Sequence, residues 1–148
     1  RVINTSYAIE QGDSGVSFVN QPRYRNADPL LPMLREGRLI KAINHEVSND
    51  IIGLISWDAR GSSMYFGPFA VLPNHQGEGL GKLLLLEAER IAKDKGCAQI
   101  DMRVVCHRTD MMPWYRRFGF TQTDQTSPYE PQDELTRPSH FTHWVKQL

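Results

Sequence analysis

The segment from Val71 to Lys82 reads Val-Leu-Pro-Asn-His-Gln-Gly-Glu-Gly-Leu-Gly-Lys, and three of its last six residues are glycines. The apolar residues before it, Met64 to Leu72, predict a strand, and the pattern from Leu80 to Lys95 predicts a helix. The glycines therefore lie at a strand-to-helix junction. A backbone that turns without Cβ atoms, just before the free N–H groups of a helix N-terminus, is suited to holding a phosphate.

The residues after the glycines predict a helix followed by a parallel strand. Gly96 comes after the last periodic residue and is a natural stop for the helix. Ala98 to Val105 is the next predicted strand, so strand, helix and strand form a βαβ unit with a right-handed crossover. The residues expected on the buried face of the helix are Leu80, Leu83, Leu84, Ala88 and Ile91, and Glu89 and Lys93 form an i,i+4 ion pair.

The residues before the glycines predict an antiparallel meander. Arg38 to Asn44 and Ile51 to Trp57 are β-branched runs joined by a polar loop, which is a hairpin pattern. A second turn, Asp58 to Ser63, leads into the strand that begins at Met64. Because a proline cannot donate to the ladder of a strand, Gly67-Pro68 predicts a bulge there or the loss of a neighbouring strand.

The two ends of the chain are less regular. Val2 to Tyr7 is interpreted as the end of a helix, Gln11 to Gly15 as a loop, and Leu30 to Leu34 as a short helical turn. Downstream, a short helix is predicted at Met111 to Arg117 with Thr109 or Asp110 as its cap, then a strand from Phe120, a long loop from Ser127 to Pro138 and a last strand from His140 to Val145.

The composition indicates one domain. The chain has 148 residues of which 40% are apolar, so we expect a single domain over residues 1–148. Lysine plus arginine and aspartate plus glutamate number 17 each, which offers no general attraction to nucleic acid or to a membrane. No apolar run approaches the roughly 20 residues of a membrane span, and no signal peptide opens the chain, which predicts a cytoplasmic protein.

The two cysteines are expected to be free thiols. Cys97 and Cys106 bracket the strand from Ala98 to Val105, so they lie roughly 30 Å apart at about 3.3 Å per residue. A disulfide needs Cα atoms within about 6.8 Å. Both thiols therefore indicate a reducing compartment, and we expect no metal site in the chain.

Two common phosphate-binding motifs fail on individual residues. A P-loop requires glycine at position 76 and serine or threonine at position 83, where the chain has Gln76 and Leu83. The dinucleotide-binding fingerprint, started at Gly77, requires glycine at position 82, which is Lys82. The glycine loop is therefore of a different kind.

What remains is Gln76-x-x-Gly79-x-Gly81, followed by Trp114-Tyr-Arg-Arg-Phe-Gly-Phe120. Both motifs, in this order and with a strand between them, resemble the GNAT superfamily of acyl-CoA-dependent N-acyltransferases. The resemblance is clear from Arg38 to about Phe120. It implies an α+β fold with a mixed sheet, namely an antiparallel meander followed by a βαβ unit whose parallel strands splay apart. It also places a first strand and most of a first helix before a segment like Val2 to Tyr7, so we expect the chain to be trimmed or incomplete there.

The resemblance implies acetyl-CoA as the cofactor and assigns residues to it. The backbone amides of the glycine loop hold the pyrophosphate in this family, and the pantetheine arm fills the gap between the splayed strands. Glu78 departs from this pattern, because a carboxylate beside two phosphates is unfavourable unless it points to solvent. The residues expected to bind the cofactor are Phe69, Val71, Gln76, Gly77, Glu78, Gly79, Leu80, Gly81 and Lys82.

The resemblance also implies roles in catalysis. The backbone groups of Phe69 and Val71 are expected to be free for the pantetheine arm, and the Phe69 N–H is the candidate to polarise the thioester carbonyl. Tyr115 matches the family tyrosine that protonates the leaving thiolate, although an aromatic residue at this position can also serve packing alone. A phenol is still protonated at neutral pH, which suits the acid role.

The general base is left open by the sequence. His107 follows the strand that ends at Val105 and is a candidate, although a histidine at a strand end is equally a surface residue. Asp101 lies in the middle of that strand and can be structural. Tyr65 and Gly67 match the positions where some family members carry a glutamate or histidine as the base, and neither is a good base. Tyr65 is a candidate for contact with the substrate or for relaying a proton to water.

We therefore expect an N-acetyltransferase that acts on a primary amine of a small molecule or peptide by direct attack in a ternary complex. The alternative is a non-catalytic acyl-CoA-binding or sensing module, which the missing base favours and Tyr115 disfavours. Trp57, Tyr65 and Trp114 are candidates for an aromatic acceptor pocket. The acidic residues Glu130, Asp133 and Glu134 can attract a cationic amine or simply be solvated. A monomer or a homodimer without a nucleic-acid or membrane partner is expected.

Overall fold

A computed structural model describes residues 1–8, 24–130 and 135–148 of the chain. The predicted loop from Gln11 to Gly15 lies outside the described residues. Asp133 and Glu134, which were considered for attraction of an amine, lie outside them as well. Glu130 is described and is exposed.

The described residues form one mixed sheet of six strands with helices on both faces. Along the sheet the strands lie in the order β1-β2-β3-β4-β6-β5, and only β3 and β4 are parallel neighbours. Two short 3₁₀ turns, Asp28–Leu30 and Pro73–His75, precede α2 and α3. The helices are α1 Val2–Tyr7, α2 Leu31–Arg35, α3 Leu80–Asp94 and α4 Met112–Arg117, and the strands are β1 Leu39–Asn44, β2 Asp50–Arg60, β3 Ser63–Val71, β4 Gln99–Val105, β5 Thr121–Pro128 and β6 His140–Gln147.

The predicted α+β fold with its meander and βαβ unit is confirmed. β1, β2 and β3 pair antiparallel in sequence order, and α3 connects β3 to the parallel strand β4. The turn between β2 and β3 is shorter than predicted, because β2 continues to Arg60 and only Gly61 and Ser62 are left for the turn. None of the helices in the described residues is long and apolar enough to cross a membrane.

The predicted bulge at Gly67-Pro68 is present in β3. The register between β2 and β3 shifts between Ile55 and Trp57, so that the two residues Gly67 and Pro68 stand opposite Ser56 alone. Ser56 is buried, and its hydroxyl donates a hydrogen bond to the carbonyl of Gly67. This bond satisfies two polar groups that the irregular pairing would otherwise leave unpaired.

The parallel strands β3 and β4 separate after four residue pairs. They pair from Ser63–Gln99 to Phe66–Met102, and the second half of each strand has no partner in the other. The separation begins at the bulge, where β3 turns away. A gap therefore opens between β3 and β4 toward the N-terminus of α3.

Helix α3 buries a different stripe from the one predicted. Its buried residues are Leu84, Leu85, Ala88 and Ala92, whereas Leu83 is 62% exposed, so the assignment of Leu83 to the core is wrong. At 100° per residue, Leu83 points about 150° away from the centre of the buried stripe. The stripe packs on one face of the sheet, around a core that includes Ile55, Met64, Ile100 and Trp144.

Helix α1 lies on the opposite face of the sheet. Val2 and Ile3 are buried with Leu54, Ala70 and Leu72 in a second, smaller core. This layer places the end of α1 beside the second half of β3. The predicted helix at Val2 to Tyr7 is confirmed.

Two predictions about the C-terminal half are wrong in detail. Helix α4 begins after Met111 and has no side-chain cap, so neither Thr109 nor Asp110 caps it. The predicted loop from Ser127 begins too early, because β5 continues through Pro128 in its pairing with β6. The cross-strand partner, rather than local composition, keeps Ser127 and Pro128 extended. Both cysteines are free, as expected.

Glu89 ties α3 to the last strand and provides a test of what holds the helix in place. Its carboxylate accepts hydrogen bonds from Lys146 at 2.6 Å and from Lys93 at 2.8 Å, and its side chain is only 16% exposed. Burial by itself would raise the pKa of Glu89, but the two ammonium groups outweigh it and the pKa is below its usual value. Glu89→Gln is therefore expected to lower the free energy of unfolding at pH 7 by roughly 1 to 2 kcal/mol in a denaturant titration.

The pH dependence of this effect has a defined sign. A carboxylate whose pKa is lowered in the folded state stabilises the fold above its unfolded pKa of about 4.3, and this contribution is lost as the pH falls through the folded value. The difference between wild type and Glu89→Gln should therefore stay nearly constant from pH 7 to about pH 5 and shrink as the pH falls below about 4.3. Glu87→Gln is the matched control, because Glu87 pairs with Arg90 on the exposed face of the same helix. Equal effects of both variants would contradict the role of Glu89.

Candidate active site

A cavity of about 570 Å³ opens where α3 begins, between the splayed part of β3, α4 and the end of α1. This volume is in the range of cofactor sites. Most of the residues that the sequence predicts for a cofactor or for catalysis line it, although they come from three separate elements. These lining residues are Phe69, Val71, Gln76, Gly77, Gly79, Gly81, Lys82 and Tyr115.

The glycine loop adopts a conformation that side chains disfavour. Gly77 and Gly79 both have φ of +82°, in the left-handed region. Gly79 is the N-cap of α3 and accepts the first helical hydrogen bond, from the Leu83 N–H at 3.1 Å, and no side chain caps this end. The first N–H groups of α3 therefore have no intrahelical partner, and Gly79, Gly81 and Lys82 border the cavity.

Gly81 permits a close approach between α3, β3 and α4. A Cβ at Gly81 would lie 3.3 Å from the ring of Phe69 and 3.6 Å from that of Trp114. These two rings stack with centroids 6.0 Å apart. The missing side chain at Gly81 thus lets the start of the helix pack on the two rings that form one wall of the cavity.

The charges around the cavity favour an anion. Among the described residues, Lys82, Arg108 and Arg117 line it together with a single carboxylate, that of Asp110. Glu78 and Leu80 do not border this cavity, although both were predicted to bind the cofactor. The Glu78 side chain is 61% exposed and its carboxylate lies 3.4 Å from Nδ1 of His75, away from the cavity. The repulsion expected from Glu78 is therefore weakened by solvent.

Asp110 remains ionised at neutral pH. Burial raises the pKa of Asp110, but the hydrogen bond and charge of Arg108, 3.0 Å away, and two backbone N–H groups outweigh burial and hold the pKa below its usual value. A carboxylate with a lowered pKa is a weak base. Asp110 is therefore suited to positioning Arg108 rather than to accepting a proton from an amine.

The carbonyl groups of β3 that face the splay are not free, contrary to the expectation for Phe69 and Val71. The Tyr7 hydroxyl donates to the Phe69 carbonyl at 3.1 Å, and the Val71 carbonyl accepts from the Ser6 hydroxyl at 2.8 Å and from Gln76 Nε2 at 3.0 Å. The next residue, Leu72, donates its N–H to β2. Because hydrogen-bonding directions alternate along a strand, the N–H groups of Phe69 and Val71 point away from β2 into the splay.

Tyr115 reaches the cavity from α4 and is held by other rings. Its ring contacts Trp114 edge to face, with centroids 5.3 Å apart, and it lies 6.2 Å from Phe120 and 6.4 Å from Trp144. Tyr115 therefore packs against other aromatic rings and also lines the cavity. Trp114 also lines the cavity, whereas Trp57 is buried in the core.

The candidate bases do not reach the cavity. His107 lies in the turn after β4, and its Nε2 is 3.0 Å from the Pro138 carbonyl. Asp101 accepts a hydrogen bond from Gln99 at 2.8 Å on β4. Tyr65 lies on the α1 face of the sheet, where its hydroxyl contacts Arg103 at 3.3 Å. None of the three is among the residues that line the cavity.

Five polar residues at the cavity were missed by sequence reasoning. Ser6 and Tyr7 are 65 and 62 residues away from the β3 carbonyls that they contact, so no local pattern points to them. Arg117 lies inside the aromatic motif, two residues after Tyr115, and its place in that motif was a usable signal. The remaining two, Arg108 and Asp110, were visible only as a polar turn.

Comparisons with known proteins agree with this geometry. The family model described as the acetyltransferase (GNAT) family matches residues 9–120, which is most of the chain. A mycothiol acetyltransferase from Arthrobacter sp. (strain FB24) is 35% identical over 63 residues, which are 43% of this chain and 20% of that protein. A thialysine N-epsilon-acetyltransferase from Bos taurus is 28% identical over 60 residues, which are 40% of this chain and 35% of that protein. The matches thus span about a fifth and about a third of these two relatives.

The fold has solved counterparts. A GNAT family acetyltransferase from Elizabethkingia anophelis, crystallised with acetyl-CoA bound, superposes with a TM-score of 0.69 at 20% identity and covers 83% of this chain and 84% of that one. At this identity the likeness concerns the fold. Together, the family match over residues 9–120, the splayed parallel strands and the glycine loop at the start of α3 lead to one conclusion. The chain belongs to the GNAT acetyltransferase family.

Proposed function

We propose that this protein transfers an acetyl group from acetyl-CoA to a primary amine of a small molecule or peptide, by direct attack in a ternary complex. The observation that carries the proposal is one cavity that brings together the glycine loop, the β3 edge at the splay and Tyr115. These are an anion-binding helix terminus, a row of backbone N–H donors and a proton donor. Acetyl transfer from acetyl-CoA can use all three, for the pyrophosphate, the thioester carbonyl and the leaving thiolate respectively.

The pyrophosphate of acetyl-CoA is placed on the amides of the loop from Gln76 to Lys82. The N-terminus of α3 has unpaired N–H groups and the positive end of the helix dipole. Lys82, Arg108 and Arg117 add positive charge around the same cavity. The relative from Elizabethkingia anophelis, which shares this fold, was crystallised with acetyl-CoA.

The pantetheine arm is placed in the gap between β3 and β4. The N–H groups of Phe69 and Val71 point into this gap, and the Phe69 N–H is positioned to hydrogen-bond the thioester carbonyl. As the amine attacks, the negative charge that develops on this oxygen is stabilised by the same N–H. The Tyr7 and Ser6 hydroxyls keep the neighbouring carbonyls satisfied, so that the edge presents donors rather than bare acceptors.

Tyr115 completes the transfer by supplying a proton. The amine nitrogen forms a bond to the acetyl carbon, the C–S bond breaks, and the departing sulfur takes the proton of the Tyr115 hydroxyl. The ammonium of the acceptor loses one proton to water before the attack, the nitrogen loses a second proton to water as the tetrahedral intermediate collapses to the amide, and the phenolate recovers one from solvent. A covalent acyl-enzyme is not part of this mechanism, because neither Cys97 nor Cys106 lines the cavity.

Water is proposed as the base because the described residues at the cavity offer no better one. Asp110 is a carboxylate with a lowered pKa, and His107 is directed to the carbonyl of Pro138. Desolvation of an ammonium makes it more acidic, so a strong base is not required. The lack of a base is also the observation that favours the competing function, a module that binds acyl-CoA without turnover.

Release of free thiol from acetyl-CoA separates these two functions. We expect an amine panel to contain acceptors that raise the rate of thiol release at least about tenfold over the rate without amine. Acetyl-CoA binding, measured by calorimetry, is expected in either case. Tight binding without amine-dependent release across primary amines of small molecules and peptides would replace the enzyme with the binding module.

A further inference from the structure

Arg103 lies where the parallel strands β3 and β4 separate. The last pair between them is Phe66 with Met102, and Arg103 is the next residue of β4. On its other side Arg103 pairs with His143 of β6. The Arg103 side chain is exposed on the α1 face of the sheet, at the start of the splay that is proposed to receive the pantetheine arm.

Aromatic rings hold the Arg103 side chain in place. Its Nε donates a hydrogen bond to the Tyr65 hydroxyl at 3.3 Å, and its Cζ lies 5.3 Å from the centroid of the Tyr65 ring and 5.1 Å from that of Phe141. Stacked and bonded in this way, the guanidinium loses little further freedom when it binds a ligand. The remaining N–H groups form a fork that fits an oxyanion.

The second arginine at this site is neutralised, whereas Arg103 is not. Arg60 covers the same Tyr65 ring, at 4.3 Å, but its Nε is 3.2 Å from the Asp58 carboxylate. Asp58 also pairs with Arg38 at 3.1 Å. Within the described part of the chain, no carboxylate lies within 4 Å of Arg103. An exposed arginine in the middle of a sheet face without an acid partner is a ready anion site.

The other titratable residues near Arg103 do not neutralise its charge. Asp101, two residues earlier on the same face of β4, accepts a hydrogen bond from Gln99 at 2.8 Å. His143, which pairs with Arg103 across the strands, contacts the Ser127 hydroxyl through Nε2 at 2.9 Å. A histidine adds either no charge or a positive one. Of these two neighbours of Arg103, only Asp101 is acidic, and it does not form an ion pair with Arg103.

The arginine stands close to the place of the proposed reaction. The Tyr65 hydroxyl is 3.4 Å from where a Cβ on Gly67 would be. Gly67 is two residues before Phe69, which corresponds to roughly 7 Å along a strand. A ligand group on Arg103 and an amine at the thioester would therefore be separated by only a few covalent bonds.

We propose that Arg103, assisted by the Tyr65 hydroxyl, binds an anionic group of the acceptor, so that the preferred acceptors are primary amines that carry a carboxylate. The Tyr65 oxygen accepts from Arg103 and keeps its own proton to donate to the anion. This proposal rests on the proposed acetyl transfer, since it names the acceptor class of the same site. It makes Arg103 a specificity residue that sequence reasoning did not single out.

Matched pairs of amines test this assignment in thiol-release assays. The panel contains ω-amino carboxylates with two to five methylene groups, the corresponding carboxamides and the corresponding phosphonates. We expect kcat/KM for the best carboxylate to exceed that for its carboxamide by at least about tenfold, since charged hydrogen bonds are worth this much. A preference for the phosphonate over the carboxylate would overturn the assignment of a carboxylate and identify the anion as a phosphoryl group.

Three variants assign the preference to one side chain. Arg103→Gln should reduce the ratio of the carboxylate to the carboxamide to within about twofold, mainly through KM. Arg103→Lys, which retains the charge without the fork, should restore part of the ratio. Arg60→Gln is the matched control, because it removes the other arginine on the Tyr65 ring, and it should keep the wild-type ratio. Equal use of carboxylate and carboxamide by the wild type, or an unchanged ratio in Arg103→Gln, would overturn the proposal.

A binding measurement distinguishes failure of this proposal from failure of the proposed function. The N-acetylated carboxylates and carboxamides are titrated calorimetrically into the protein in the presence of coenzyme A. If no amine is turned over but the carboxylates bind and Arg103→Gln abolishes this binding, the anion site stands and acetyl transfer fails. If amines are turned over but neither turnover nor binding depends on the carboxylate, acetyl transfer stands and the anion site fails.

Discussion

Replacing Gly79 with valine is expected to abolish the binding of acetyl-CoA. Gly79 is the N-cap of α3 with φ of +82° and ψ of 0°, a backbone conformation that a β-branched residue adopts only under strain. Within the described ranges, no atom lies within 4 Å of a Cβ built there, so the effect comes from the backbone and not from a clash. Relaxation of that strain moves the N–H groups proposed to hold the pyrophosphate.

The expected loss is large because several charged hydrogen bonds are affected together. Each is worth about 1.5 to 3 kcal/mol, so losing two corresponds to at least a ~100-fold weaker affinity. Isothermal titration calorimetry with acetyl-CoA measures it. Gly79→Asn should retain part of the affinity, because asparagine tolerates the left-handed region better than other residues with side chains.

Gly96→Val is the matched control for general destabilisation. Gly96 follows the other end of the same helix with φ of +73° and lies outside the cavity. No atom of the described residues lies within 4 Å of a Cβ built on it. The same type of strain is therefore introduced away from the cofactor. We expect its affinity for acetyl-CoA to stay within about threefold of wild type. Unchanged affinity in Gly79→Val, or an equal loss in Gly96→Val, would rule out the placement of the pyrophosphate.

The second large effect is expected from Tyr115→Phe. This change removes only the hydroxyl, and the ring contacts with Trp114, Phe120 and Trp144 remain. General acid catalysis contributes about 10²- to 10⁴-fold, so kcat should fall at least ~100-fold while the Kd of acetyl-CoA changes by less than about threefold. Steady-state thiol release and calorimetry on the same preparation separate the two quantities.

Tyr24→Phe controls for the loss of a tyrosine hydroxyl as such. Tyr24 packs against the smaller core on the α1 face and does not line the cavity. Its kcat should remain within about twofold of wild type. Full turnover in Tyr115→Phe would reject the acid role and leave Tyr115 as a packing residue. A parallel loss of kcat and cofactor affinity would indicate that the hydroxyl positions acetyl-CoA.

The part of the site built from neighbouring residues was predictable from the sequence. The loop from Gln76 to Lys82 and the aromatic motif around Tyr115 are local, and their backbone conformations follow from glycine spacing and helix periodicity. The bulge at Gly67-Pro68 was predictable for the same reason, because proline limits pairing whatever its neighbours are. The structure places these three segments around one cavity or at its edge.

The parts that were predicted wrongly depend on contacts between distant segments. Leu83 carries the same side chain as Leu84, and only the orientation of α3 on the sheet decides that Leu83 is exposed. His107 follows β4 as predicted, but the segment before β6 supplies the carbonyl of Pro138 to which it is directed. Neither outcome is encoded in the residues next to these positions.

The sequence by itself determined the mixed fold and the glycine loop at the start of α3, because turn chemistry and periodicity act over a few neighbouring residues. Its resemblance to the GNAT superfamily pointed to Tyr115, which lines the same cavity. Only the tertiary structure decided that the Ser6 and Tyr7 hydroxyls donate to the carbonyls of β3 and that Glu78 does not border the cavity. It also decided that Arg103 lies beside Tyr65 without an ion pair to any described carboxylate. Tyr65 and Arg103 are 38 residues apart along the chain. The physical reason is that strand pairing and helix packing bring such residues together. These contacts depend on the burial of the whole core, which a pattern of neighbouring residues does not determine.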